Sequence, residues 1–132
     1  MTDLNIQIVV CGAHLSGMVL NPQLTERGGV LVKATESAAK YRFYALAGGP
    51  PFRPGMVRVA KDGVAIPVEV WSLPAAGFGD FVNNIPSPLG IGKVELADGS
   101  FVSGFVCEPF ALDGAKDISD VGGWRNYIQS LG

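Results

Sequence analysis

The chain carries one histidine, and it lies in the stretch Cys11-Gly12-Ala13-His14-Leu15-Ser16-Gly17. An apolar run from Ile6 to Val10 stops at this glycine-flanked turn, so the residues that follow leave the core edge with backbone N–H groups free to meet a ligand. An imidazole titrates near neutrality, and on a loop held by a rigid strand it is a candidate acid or base. Its plainer role would be to bond a neighbouring carbonyl within the turn. Ser16 has neither a second histidine nor a Gly-x-Ser-x-Gly elbow to activate it, which argues against a serine hydrolase triad. Arg42 and Tyr44 stand two apart on one expected strand and point the same way. They could present a guanidinium fork and a phenol to a carboxylate, or merely form a solvated face. Glu69, in Val68-Glu69-Val70-Trp71, faces either solvent or a barrel interior, where burial would raise its pKa toward acid–base work. Arg125 follows Gly122-Gly123-Trp124 as a further cation, with a surface position as the simpler alternative.

The elements that must position these groups can be read from the chain. Residues 5–11 read as a first strand. Residues 21–28 read as a short helix with Asn21 as N-cap, Pro22 at the first helical position and Gly28 after its end. The start of that helix would then offer N–H groups and the positive end of its dipole to an anion beside His14. Residues 29–36 and 41–47 read as strands joined by Ser37-Ala38-Ala39-Lys40, with Tyr41, Phe43 and Ala45 on one face. Residues 48–55, rich in glycine and proline, read as an external loop. Asp62-Gly63 predicts a hairpin between 56–60 and 65–73, and Asp98-Gly99 predicts another between 92–96 and 101–107. Phe78, Phe81, Val82 and Ile85 recur at helical spacing over 74–85, and residues 122–131 close as a helix. The expected fold is α+β: a small, mixed, barrel-like sheet of six or seven strands with about three helices, in one domain spanning residues 1–132.

Composition bounds the function. Of the 132 residues, 48% are hydrophobic and 17% charged, which is globular, and a net charge of −2 with scattered lysines and arginines disfavours nucleic acid as a partner. No apolar stretch approaches the ~20 residues of a membrane span and no basic signal-peptide head is present, so a cytoplasmic location is expected. Cys11 and Cys107 lie in apolar strand-like segments with no second ligand at metal-binding spacing; they read as buried thiols, and no metal site is expected.

The motifs Gly12-Ala13-His14-Leu15-Ser16-Gly17-Met18-Val19-Leu20-Asn21-Pro22-Gln23-Leu24, Tyr41-Arg42-Phe43-Tyr44-Ala45-Leu46, Glu69-Val70-Trp71, Ile85-Pro86-Ser87-Pro88-Leu89-Gly90-Ile91-Gly92 and Gly123-Trp124-Arg125 occur in this order. Together they resemble the C-terminal domain of allophanate hydrolase, across about residues 8–127. The resemblance implies a γ-glutamylcyclotransferase-like fold and a place in urea and allophanate degradation, here without the amidase half. It matches His14 to a histidine credited with helping to remove carbon dioxide from the N-carboxylated carbamate that an amidase half produces. Such a reaction needs a proton donor near the nitrogen and cations or N–H groups around a small dianion. The candidate catalytic residues are therefore His14 and Tyr44. The candidate substrate-binding residues are Gly12, Ala13, Leu15, Ser16, Gly17, Asn21, Arg42, Glu69 and Arg125, with no metal or organic cofactor. The implied partners are a small anionic carboxylate substrate and an amidase-signature protein, with a homodimer as a further option; the chain either stands alone or is one domain of something larger. A non-catalytic assembly module and another small-molecule activity on the same fold are the alternatives. Classical cyclotransferase chemistry is disfavoured because residues 85–90 contain no acid.

Overall fold

The computed structural model describes residues 4–132. The first strand, β1 (Asn5–Val10), lies in the middle of a sheet because Ile8, Val9 and Val10 are buried completely. A continuous apolar run of this kind suits a strand covered on both faces. After a loop and a single helical turn, α1 (Pro22–Thr25), come β2 (Val30–Glu36), β3 (Tyr41–Ala45), β4 (Pro54–Arg58) and β5 (Pro67–Pro74). Next follow helix α2 (Ala75–Asn83), β6 (Leu89–Glu95), β7 (Phe101–Cys107), a 3-10 turn over Pro109–Leu112, the two-residue β8 (Lys116–Asp117) and helix α3 (Trp124–Ser130).

Two sheets result. The larger has the order β2-β5-β1-β7-β6 and the smaller β4-β3-β8. All neighbours run antiparallel except β1 and β7, which run parallel and meet at Val9 and Gly104. The α+β class and the mixed sheet are as expected, but among the described residues eight strands divide between two sheets instead of curling into one barrel-like sheet. One apolar cluster joins the two, with Phe43 meeting Trp124 edge-on at 6.3 Å and α2 contributing Phe81. The outer strand β2 is mostly exposed, with Val30, Leu31 and Val32 facing solvent and a register shift between Leu31 and Lys33.

The Asp98-Gly99 hairpin is present, pairing Glu95 with Phe101 and extending back to Leu89, three residues earlier than its expected start. The Asp62-Gly63 hairpin is not. There β4 pairs with β3, β5 pairs with β1 and β2, and residues 59–66 carry the chain from one sheet to the other. The turn signal is real, since Asp62 adopts φ +62, but the long apolar β5 gains a hydrogen-bonded strand on each edge in the larger sheet, β1 and β2. Residues 37–40 likewise cross between sheets, held by Ser37, whose N–H donates to the Ile66 carbonyl and whose Oγ accepts from the Ile66 N–H.

Candidate functional site

Gly12 begins the loop after β1 because nothing larger fits. A Cβ there would stand 2.3 Å from Cδ of Pro54, the first residue of β4. The loop then folds on itself: the Leu15 N–H donates to the Gly12 carbonyl, Leu20 to Ala13 and Met18 to Leu15. Among the described residues, the N–H groups of Ala13 and His14 donate to no backbone or side-chain acceptor. Gly17, at φ +81, makes the left-handed bend.

His14 is buried to 8% exposure between two aromatic rings. Its imidazole stacks on Phe105 at 5.1 Å and meets the edge of Phe81 at 5.0 Å. Nε2 lies 2.8 Å from Gln23 Oε1, an acceptor that requires the hydrogen on Nε2 and leaves Nδ1 to gain and lose the proton. Nδ1 has no partner among the described residues. Since no fully buried side-chain nitrogen or oxygen there lacks one, Nδ1 retains some accessible surface. Burial lowers the imidazole pKa below 6.5; the Gln23 hydrogen bond opposes this, and the charges of Arg53 and Arg27 add to it.

Two small chambers, of about 20 and 30 Å³, are lined by His14. Arg53, Leu89 and Phe105 belong to both walls; Gln23, Phe81 and Asn84 complete one, and Cys11, Gly12 and Pro54 the other. Space of that size holds about one or two waters. Arg53 and Leu89 also line a larger outer cleft of about 470 Å³, between residues 46–51 on one side and Ser87, Pro88, Phe110 and Asp113 on the other. Arg53 and Leu89 are thus the residues that the outer cleft shares with the His14 chambers.

The remaining expected residues fall into two groups. Glu69, Ser16 and Arg125 converge behind the loop. Glu69 Oε1 accepts from the Ser16 N–H at 2.7 Å and from Trp71 Nε1 at 3.0 Å, while Arg125 Nη2 donates to Glu69 Oε2 at 2.9 Å and to the Ser16 carbonyl at 2.7 Å. Glu69 is thus an inward carboxylate, but not one with a raised pKa. Burial would raise it, yet the Ser16 N–H, the Arg125 guanidinium and the Trp71 indole together hold it below the ordinary value. This is a clamp on the loop, separate from the His14 chambers, and Leu15 packs in the core next to it.

Arg42 and Tyr44 share a side of β3, as the alternation requires, but it is not the side that meets His14. Arg42 donates to Asp117 Oδ2 at 2.9 Å and to the Asp62 carbonyl at 3.0 Å, and neither residue lines a His14 chamber. Asn21 caps nothing with its side chain; its Nδ2 donates to the His14 carbonyl at 2.8 Å. The helix start offers no free amide either. Pro22 has none, Gln23 donates to the Leu20 carbonyl and Leu24 to that of Asn21. Gln23 and Arg53 are, besides His14 and Asn84, polar residues of the chamber walls. The first was visible in sequence as a polar residue nine positions after His14; the second lies in a loop whose only signal was glycine and proline. Cys11 is sealed, with burial foremost and Cys107 second pushing its thiol up to about 12.

Fold and site together define a small α+β domain with a histidine at the end of a cleft. The sequence matches the allophanate hydrolase C-terminal domain over residues 6–129, and the chain belongs to that family. It is 39% identical over 131 residues to the urea amidolyase of Lachancea kluyveri, covering 96% of this chain but 7% of that protein. Kluyveromyces lactis allophanate hydrolase superposes with a TM-score of 0.94 at 38% identity, over 98% of this chain and 22% of that one. A uropathogenic E. coli-specific protein superposes with a TM-score of 0.88 at 36% identity, over 98% of both chains. In the first two relatives, then, the equivalent of this chain is one part of a much longer polypeptide. No helix among the described residues is long and apolar enough to cross a membrane.

Proposed function

We propose that this domain removes carbon dioxide from the N-carboxylated carbamate that an amidase releases from allophanate, with His14 as the general acid. The observation that carries the reading is the asymmetry of the imidazole, which lines both chambers: Nε2 is held by Gln23, while Nδ1 has no partner among the described residues and is not fully buried. A histidine kept only for packing needs no open nitrogen. Without ligand the imidazole is mostly neutral near pH 7, because its pKa lies below 6.5. A dianion beside it favours the charged form, so substrate and proton are taken up together. The imidazolium then gives its proton to the substrate nitrogen as the C–N bond breaks. The bonding pair stays on nitrogen, the departing carboxylate becomes carbon dioxide, carbamate remains, and His14 regains a proton from water. The loop amides of Ala13 and His14 are available to the anion.

An amidase-linked organising role is the second reading, favoured by the small share of its long relatives that this domain represents. To separate the two, the carboxylated product is generated in place with an isolated amidase, and carbon dioxide release is followed by labelled-carbon NMR. Acceleration by this protein, falling about 100-fold or more in His14→Ala, is the expected outcome. A rate equal to the spontaneous one would rule out the catalytic reading and favour assembly.

A further inference from the structure

The proposed chemistry needs a cation to hold the substrate, and four of the five arginines are already engaged. Arg27 pairs with Asp80, Arg42 with Asp117, Arg58 with Glu95 and Arg125 with Glu69. Arg53 has no carboxylate partner among the described residues, and its side chain makes no hydrogen bond to them. It is also the arginine that lines the outer cleft and both His14 chambers. Its backbone is well anchored. The Arg53 carbonyl accepts from the Leu46 N–H at 3.1 Å, closing the 46–53 loop, and the next residue, Pro54, presses on Gly12 at the root of the His14 loop. The one acid of the cleft wall, Asp113, is exposed and forms no ion pair with it.

Building on the decarboxylation reading, we propose that Arg53 is the carboxylate-binding residue of this site and selects dicarboxylates. Its fork grips one carboxylate where the outer cleft narrows, which directs the second carboxylate and the atom between them toward His14. A planar guanidinium matches a carboxylate with two parallel hydrogen bonds, and a lysine cannot reproduce them. Arg53 would then be a specificity residue, and Arg42 and Arg125 would not touch substrate.

The test uses malonate, a stable dicarboxylate, with acetate as the single-carboxylate control, in titration calorimetry on the wild-type chain and on Arg53→Gln and Arg53→Lys. Wild type should bind malonate at least about tenfold more tightly than acetate, and Arg53→Gln should lose at least about tenfold in malonate affinity. Arg53→Lys should recover only part of that loss. Because the Arg53 side chain has no protein partner to lose, the variants should melt with wild type, which the same samples report by thermal unfolding. Malonate affinity that is absent in wild type, or unchanged in Arg53→Gln, overturns the assignment. In the carbon dioxide assay Arg53→Gln should raise KM more than it lowers kcat. Decarboxylation insensitive to Arg53→Gln would defeat this assignment while leaving the function intact. Arg53-dependent malonate binding without any decarboxylation would do the reverse.

Discussion

At the scale of single residues, the site depends on how one imidazole is held. Phe105 and Phe81 pack against the ring, Gln23 fixes one nitrogen, and burial with two arginine charges disfavours its charged form. The pH dependence follows. The free protein needs imidazolium, and its pKa lies below 6.5, so kcat/KM should fall as pH rises through that lowered value. In the complex the dianion raises the pKa, so kcat should hold to a higher pH. Paired pH–rate profiles check this, and coincident profiles would count against charge coupling between ligand and His14. His14 was legible in sequence because it is a lone titratable group at a strand end. Arg53 was not, because a cation is assigned to a cavity by what lies opposite it, and local sequence says nothing of which arginines find carboxylates 37 to 75 positions away.

At the scale of elements, the loop after β1 is fixed from both sides. Pro54 of β4 closes on Gly12 from one direction, and Glu69 of β5 with Arg125 of α3 grips Ser16 from the other. Gly12→Ala should therefore cost about 1–3 kcal/mol through overpacking and impair any His14-dependent activity, which denaturant unfolding and the carbon dioxide assay would measure together. Sequence marked Gly12 as a turn but not as a close approach, since the proline that meets it lies forty-odd positions on and in the other sheet. Where pairing is local, as in the β6–β7 hairpin, turn chemistry sufficed to read it. Where an equally good Asp-Gly turn joined β4 to β5, the demand of an apolar strand for a paired strand on each edge prevailed, and that preference appears only once the whole sheet is assembled.

At the scale of the whole molecule, ionisable groups from distant elements respond to acid in the same direction. Glu69, Glu95, Asp98 and Asp117 all have pKa values held below their ordinary ones by hydrogen bonds and cations. A carboxylate with a depressed folded pKa stabilises the fold above its unfolded value and stops doing so as pH falls through its folded value. His14, also depressed, favours the fold while neutral and disfavours it once protonated. The melting temperature should thus be level between about pH 7 and 8, decline gently below about pH 6.5 and steeply below about pH 4.5, and fall again above about pH 9, where the buried Cys11 resists ionisation. Thermal scans across that range test it, and His14→Gln should remove the gentle part alone. The clamp on Ser16 also fixes an order of assembly. Arg125 reaches the Ser16 carbonyl across 109 positions, so a growing chain can form β1 early yet cannot lock the loop that presents His14 until α3 has emerged and docked. During synthesis, competence for ligand would follow the docking of α3, as a report that the strands lying between β1 and that helix are already in place.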